Sequence, residues 1–383
     1  MILYKIKNFL ILLLCFFYFL YHGKANKKIK EVKKVLVVQT AKLGDMVCTT
    51  PIFRAIKLKY PNCLVYVLGK ETNKELLKNN LDVDNYIIYD NKFFKLLKII
   101  RREKFDFACI ITPNFINLVL LYLSSVPLIV APKVTGGFCP YETKSYKILR
   151  NFVVTKPHCF GNYAPKEYLR LLEPLDIITE DTTKYLFYSN EADKKIIKII
   201  NYLKENNIDL KNDFLVGIAP SVANKIKLWT AERFAKIADY LFEKYQAKII
   251  IIGGNDDRQE IERMIGFLNK STPILDISGI FNLDELKALI SKLKIFISVD
   301  TGPIYIAEAF NIPTVDIVGP MAENEQPPRG RFHKIVKLEN RQPQLHIMNA
   351  RIYDEKEARR QIEEITVEAV IDKINELIKE LNV

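Results

Sequence analysis

Short runs of β-branched and aliphatic residues recur along the chain, separated by stretches whose apolar positions repeat every three or four residues. KVLVVQ (34–39), CLVYVLG (63–69), NYIIYD (85–90) and FACIIT (107–112) predict strands, and the segments 54–60, 73–80 and 93–103 between them predict helices. The runs are continuously apolar rather than alternating, which suits parallel strands covered on both faces. From 127 to 174 the rhythm loosens around Gly136-Gly137 and several prolines, with a helix-like KEYLRLLEPL at the end, predicting a long irregular region that lines a cleft. A second series comes next, with FLVGIAP (214–220), KIIIIGG (248–254), PILDIS (273–278), KIFISVD (294–300) and TVDIVGP (314–320). AERFAKIADYLFEKY and NLDELKALISKL lie between these runs at helical spacing. The predicted class is α/β, with two Rossmann-like, doubly wound domains facing across a cleft. They are expected at 34–185 and 186–365, followed by an amphipathic helix, 366–383, that crosses back onto the first domain.

The chain starts differently. FLILLLCFFYFLY (9–21) is an unbroken apolar run of thirteen residues, short of the roughly 20 that a spanning helix needs. Of the net charge of +12, seven positive charges lie at or before Lys34, where eight lysines face one glutamate. This combination predicts a membrane anchor over 1–33, either short-spanning or lying in the interface, with a lysine collar drawn to acidic headgroups at the cytoplasmic membrane surface. An uncleaved export signal or a buried helix are the alternatives. A nucleic-acid partner is disfavoured, because the basic cluster adjoins a greasy run instead of interleaved aromatics.

Six cysteines and four histidines are scattered without a C-x-x-C pair or a compact cluster, so no metal motif and no disulfide framework is indicated. Attention therefore falls on the loops that leave strand C-termini, where open α/β sheets bind ligands. QTAKLGD (39–45) lacks the three glycines of a dinucleotide fingerprint and the Lys-Ser/Thr of a phosphate loop, so no cofactor is indicated. Its Asp45 can cap a helix, and spacing alone favours that role over chemistry. Thr50-Pro51 is a second possible helix start, which would partly release Asp45.

DTGP (300–303) comes directly after an apolar strand and offers either a plain capped turn or a helix N-terminus whose free N–H groups hold a phosphate. SVANKIKLWTAERF (221–234) places Lys225 and Lys227 before the only tryptophan, Trp229. Such a lysine is either a solvated charge or a clamp on a diphosphate leaving group. In GGNDD (253–257) the carboxylates either cap a turn or meet ribose hydroxyls.

In this order, the loops resemble the heptosyltransferases of lipopolysaccharide core assembly, glycosyltransferase family 9. KVLVVQTAKLGDMVCTTPIFRAIKLKYP near the start and ISGIFNLDELKALISKLKIFISVDTGP near the end carry the resemblance, which covers roughly 34–332. It implies a GT-B fold with the acceptor held by the first domain and a nucleotide-sugar by the second. It further implies inverting, metal-independent transfer from ADP-L-glycero-D-manno-heptose to a lipid A-linked core sugar. The family's catalytic-base aspartate falls on Asp45, and its phosphate-contacting lysine on Lys227. Its donor-holding Asp-Thr-Gly falls on Asp300, Thr301 and Gly302, and its ribose-side acid on Asp257.

Where the family commonly has histidine beside the donor phosphates, this chain has Tyr305, which can hydrogen-bond phosphate but carries no positive charge. The ENEQPPRG loop (323–330) also departs from the usual pattern. Two other readings stay open, namely the same fold using another nucleotide-sugar and a non-catalytic membrane-anchored nucleotide-sugar binder. A carboxylate at a helix N-terminus is a weak base, so Asp45 would take the acceptor proton late.

Overall fold

A computed structural model describes residues 2–202, 209 and 212–382. The chain divides into two compact units, one running up to Lys184 and joined by Ile347–Ile352, the other comprising Tyr185–His346 and the segment from Tyr353 onward.

The first unit opens with helix α1 (Ile2–His22) and continues as β1 (Lys34–Gln39), α2 (Leu43–Val47), α3 (Thr50–Lys59), β2 (Leu64–Gly69), α4 (Glu71–Leu77), β3 (Asn85–Ile88) and α5 (Phe93–Glu103). It closes with β4 (Phe107–Ile110), α6 (Phe115–Leu123), β5 (Leu128–Thr135), α7 (Lys144–Leu149), β6 (Val154–Cys159) and α8 (Ala164–Leu169). The strands form a six-stranded sheet in the order β3-β2-β1-β4-β5-β6, parallel throughout. Val35 to Val38 are buried because helices cover both faces of the sheet, which is what their uninterrupted apolar run requires.

The region 127–174, expected to be irregular up to its helical end, instead contains β5, α7 and β6 before α8, which falls where the helical pattern was expected. Its prolines obscured the strands without preventing them. Pro132 sits past the end of β4, where β5 pairs only with β6, and Pro157 lies on the edge strand β6. Both are positions where a missing ladder donor is tolerated.

α1 requires a correction. Its Cys15 is buried in the core of the first unit, and Ile11, Leu12 and Phe19 pack beside it. Among the described residues no helix is long and apolar enough to cross a membrane. A spanning anchor does not fit a helix that gives one face to a protein core and carries Lys7 and Asn8 near its start.

The second unit runs α9 (Asn190–Tyr202), β7 (Leu215–Ala219), α10 (Ala231–Tyr245), β8 (Lys248–Ile251), α11 (Arg258–Phe267), β9 (Ile274–Asp276), α12 (Leu283–Ile290) and β10 (Ile295–Val299). α13 (Gly302–Ala309), β11 (Thr314–Ile317), β12 (His333–Val336), α14 (Glu355–Glu363) and α15 (Val367–Leu381) complete it. Its parallel six-stranded sheet has the order β12-β11-β10-β7-β8-β9. Each sheet therefore reverses its winding once, between β1 and β4 in the first and between β7 and β10 in the second. These are the positions where this class of sheet opens a crevice.

The terminal helix also departs from expectation, because α15 belongs to the second unit and not the first. Val370, Ile374, Leu377 and Ile378 are buried in the same core as β7, β10 and α10. Lys334 on β12 adds ion pairs to Glu376 and Glu380, at 2.8 and 3.0 Å. The helix has a single apolar stripe, and the second sheet occupies it.

Candidate active site

The two loops that flank the switch point of the second sheet carry most of the candidate chemistry. β10 is buried along its length and delivers Asp300, only 3% exposed, to the carboxyl edge of the sheet. Thr301 then takes an extended conformation as the N-cap of α13, with Pro303 in the first turn, so the chain turns sharply from strand to helix. At the start of α13 Pro303 has no N–H and the Ile304 N–H turns back to the Thr301 carbonyl at 3.3 Å, so the Gly302 N–H at the helix N-terminus is the donor an anion would meet.

From the neighbouring loop, Lys227 closes the short 3-10 turn Lys225–Lys227. Its Nζ donates to Asp300 Oδ2 at 2.6 Å and also to the Asp300 carbonyl oxygen. Trp229 fixes this loop from behind. The ring is 1% exposed, packs edge-on against Phe234, and donates from Nε1 to the Ile365 carbonyl at 2.9 Å.

Tyr305, one turn into α13 and buried, donates its hydroxyl to Asp300 Oδ1. The two carboxylate oxygens are thus each bound, one by the lysine and one by the phenol. The expectation that Tyr305 serves the donor phosphates meets a physical obstacle here, because its single O–H proton is already committed to Asp300. In this structure Tyr305 braces Asp300.

Asp257 accepts from the Gly254 N–H at 2.8 Å and from the Ser221 hydroxyl. It closes the turn after β8 and ties it to the loop after β7, so the capping role is present whether or not a ribose also meets this carboxylate.

In the first unit, Asp45 lies in α2 on the loop after β1, beside the switch point. Its Oδ2 accepts the Lys42 N–H at 3.1 Å, the capping contact that spacing favoured. α3 starts separately at Thr50 with Pro51 in its first turn. The turn is stitched from below: Thr49 Oγ1 donates to the Asp45 carbonyl at 2.7 Å, and Gln39 Nε2, from the end of β1, donates to Thr49 Oγ1 at 3.2 Å. Across the switch point, Asn117 Nδ2 of α6 donates to Thr40 Oγ1 at 3.2 Å.

Three further residues belong with these sites and escaped the sequence reading. Tyr141 is close enough to Asp45 for the aspartate charge to help raise its pKa, after burial as the main cause, with Arg351 opposing both. Arg351 stands 4.8 Å over the Tyr141 ring. The tyrosine fell inside a stretch read as irregular, and Arg351 joins the first unit only through the segment Ile347–Ile352. The third is Asp316 of β11, paired in register with Ser298 of β10. It is fully buried, and neither carboxyl oxygen has a hydrogen-bond partner among the described residues. Burial foremost, and then the neighbouring Asp300, push its pKa well above the usual carboxylate range. An aspartate within a TVDIV strand gave no signal beyond its own oddity.

Two parallel six-stranded units in one chain, with polar loops gathered at the switch point of each, define the class as a two-domain, Rossmann-type α/β protein. The family description Glycosyltransferase family 9 (heptosyltransferase) matches residues 94–352, and the chain belongs to that family. Among its relatives, the lipopolysaccharide heptosyltransferase 3 of Escherichia coli is 24% identical over 288 residues, covering 72% of this chain and 80% of that protein. The solved glycosyl transferase family 9 protein from Veillonella parvula superposes with a TM-score of 0.75 at 20% identity, covering 92% of this chain and all of that one. The E. coli ADP-heptose lipopolysaccharide heptosyltransferase II superposes at 0.71 with 17% identity, covering 91% of this chain and all of that one.

Proposed function

We propose that this glycosyltransferase moves a heptose from ADP-heptose to a sugar of a lipid-linked lipopolysaccharide-core acceptor, with inversion at the anomeric carbon and without a metal. The observation that carries the reading is the Lys227–Asp300 pair beside the N-terminus of α13, at the switch point of the second sheet. A diphosphate leaving group needs positive charge and oriented N–H donors as the sugar–phosphate bond breaks. Lys227 and the amides of Thr301 and Gly302 supply both. Asp300, held by Lys227 and Tyr305, is oriented to accept from donor-sugar hydroxyls, and Asp257 is the candidate for the ribose.

The acceptor hydroxyl is assigned to the first unit, where Asp45 takes its proton as the hydroxyl oxygen bonds to an oxocarbenium-like carbon. Lys42 N–H and the Thr49 stitch hold that carboxylate's turn in place. The E. coli heptosyltransferases among the relatives, one of them named for ADP-heptose, support the choice of donor.

The test is transfer by the purified chain from a panel of nucleotide-sugars, with product anomericity read by NMR and turnover repeated in EDTA. Consumption of ADP-heptose alone, with an inverted product and EDTA-insensitive turnover, is expected. Consumption of only a UDP- or GDP-sugar would sink the donor assignment. One observation favours that second reading, a family member with another donor: Tyr305 brings no positive charge and spends its proton on Asp300.

A further inference from the structure

The two faces of α1 do different things. At about 100° per residue, Asn8, Ile11, Leu12, Cys15 and Phe19 fall on one side. Asn8 and Cys15 are buried, and the other three pack against the core of the first unit. Phe9, Leu13, Phe16, Phe17 and Leu20 fall together on the opposite side, and all are exposed, with Phe9, Phe17 and Leu20 more than half so. Large apolar side chains gathered on one exposed helical face mark a binding surface, not scattered surface residues.

The basic stretch after the helix identifies the occupant. Lys24, Lys27, Lys28 and Lys30 are exposed and make no ion pair among the described residues, and Glu31, the single acid of this segment, is taken by Lys33 at 2.9 Å. At the foot of the helix a hollow of about 90 Å³ is lined by Tyr18, His22, Lys24, Lys27 and Ser125. The Tyr18 ring stacks on His22 at 4.1 Å, and its hydroxyl is hydrogen-bonded to Ser125. Two short β-bridges, Ala25 with Val153 and Asn26 with Leu128, pin this basic stretch to the starts of β6 and β5, so its charges are displayed from a fixed backbone.

We propose that α1 and the segment 24–30 form a monotopic docking surface for an anionic bilayer. The exposed arc enters the boundary between headgroups and acyl chains, while Lys24 and Lys27 meet lipid phosphates at the hollow. An exposed apolar helical face flanked by unpaired lysines matches the chemistry of an acidic lipid surface and of no neutral one. The inference stands apart from the transferase reading, because binding is read with no donor or acceptor present.

The experiment is co-sedimentation of the full chain with phosphatidylcholine vesicles, with and without phosphatidylglycerol, over a salt series. Binding to the anionic vesicles that weakens with salt is expected. Phe9→Ser/Phe16→Ser/Leu20→Ser should lower it at least about tenfold, and Lys24→Gln/Lys27→Gln/Lys28→Gln/Lys30→Gln should do the same while abolishing the salt dependence. Circular dichroism and a thermal melt on each variant establish that the fold is kept, as the exposed positions predict. Equal binding to neutral vesicles, binding untouched by both variants, or no binding at all would overturn the proposal. So would light scattering that shows a wild-type dimer dispersed by the apolar variant, since the face would then belong to a second copy.

Discussion

The ammonium of Lys227 sits 2.6 Å from Asp300 Oδ2, with the two side chains 14% and 4% exposed. Desolvating both charges is costly, and the pair is held only because each partner compensates the other. Lys227→Met should therefore leave Asp300 buried and uncompensated, destabilising the chain by about 3–5 kcal/mol. The double variant Lys227→Met/Asp300→Asn should recover much of that loss in a urea titration. Neither should bind ADP as tightly as the parent by calorimetry, since the proposed phosphate clamp is gone in both. A double-mutant cycle with no coupling would mean that the contact has no energetic weight.

Asp45 has a capping contact and a proposed chemical role, and two substitutions separate them. Asn keeps an oxygen for the Lys42 N–H but cannot take a proton. Asp45→Asn should retain the melting temperature and donor affinity while turnover falls by roughly 10²–10⁴. Asp45→Ala should lose turnover similarly and also cost about 1 kcal/mol of stability, the usual value of a lost cap. Full turnover in the Asn variant would reduce Asp45 to a cap.

Tyr305 donates to Asp300 Oδ1 from a buried position. Tyr305→Phe keeps the ring and removes the donor, leaving one carboxylate oxygen without its partner. Hydrogen bonds to charged groups contribute about 1.5–3 kcal/mol, so donor affinity should fall about tenfold or more with the secondary structure unchanged. Unaltered affinity would show that donor binding does not depend on the Tyr305 brace.

Much of this was legible in the sequence because apolar runs in doubly covered sheets are dense and local. KVLVVQ coincides with Lys34–Gln39, and KIFISVD contains Ile295–Val299. The loops after them inherit their placement from the fold, which is why Asp45 and Asp300 could be located at sheet edges. β12 was missed because four residues, HKIV, directly after a proline-rich stretch carry too little pattern. α15 was assigned to the wrong unit because an amphipathic stripe announces burial but not the surface that buries it. Tyr141 and Arg351 meet only after the chain has traversed the whole second sheet and returned. No local spacing encodes such a meeting.

Asp316 gives a pH dependence whose sign can be worked out. In the unfolded chain it titrates near the ordinary value of 3.8, whereas burial in β11 and the Asp300 charge push the native value well above that. Between the two, the native state keeps a proton that the unfolded state has released. Its contribution to stability is thus fully present below the unfolded value and is lost as pH rises toward the native one. Asp316→Asn removes the titration while preserving shape. The stability of this variant relative to wild type should therefore climb with pH from about 4 upward, by up to ~1.4 kcal/mol per unit, levelling off once the native carboxyl has ionised. Urea titrations of both proteins at a series of pH values measure the difference. A difference that stays constant across the series would mean that the native carboxyl is not held protonated, and that Asp300 and Lys227 sit beside a second buried negative charge.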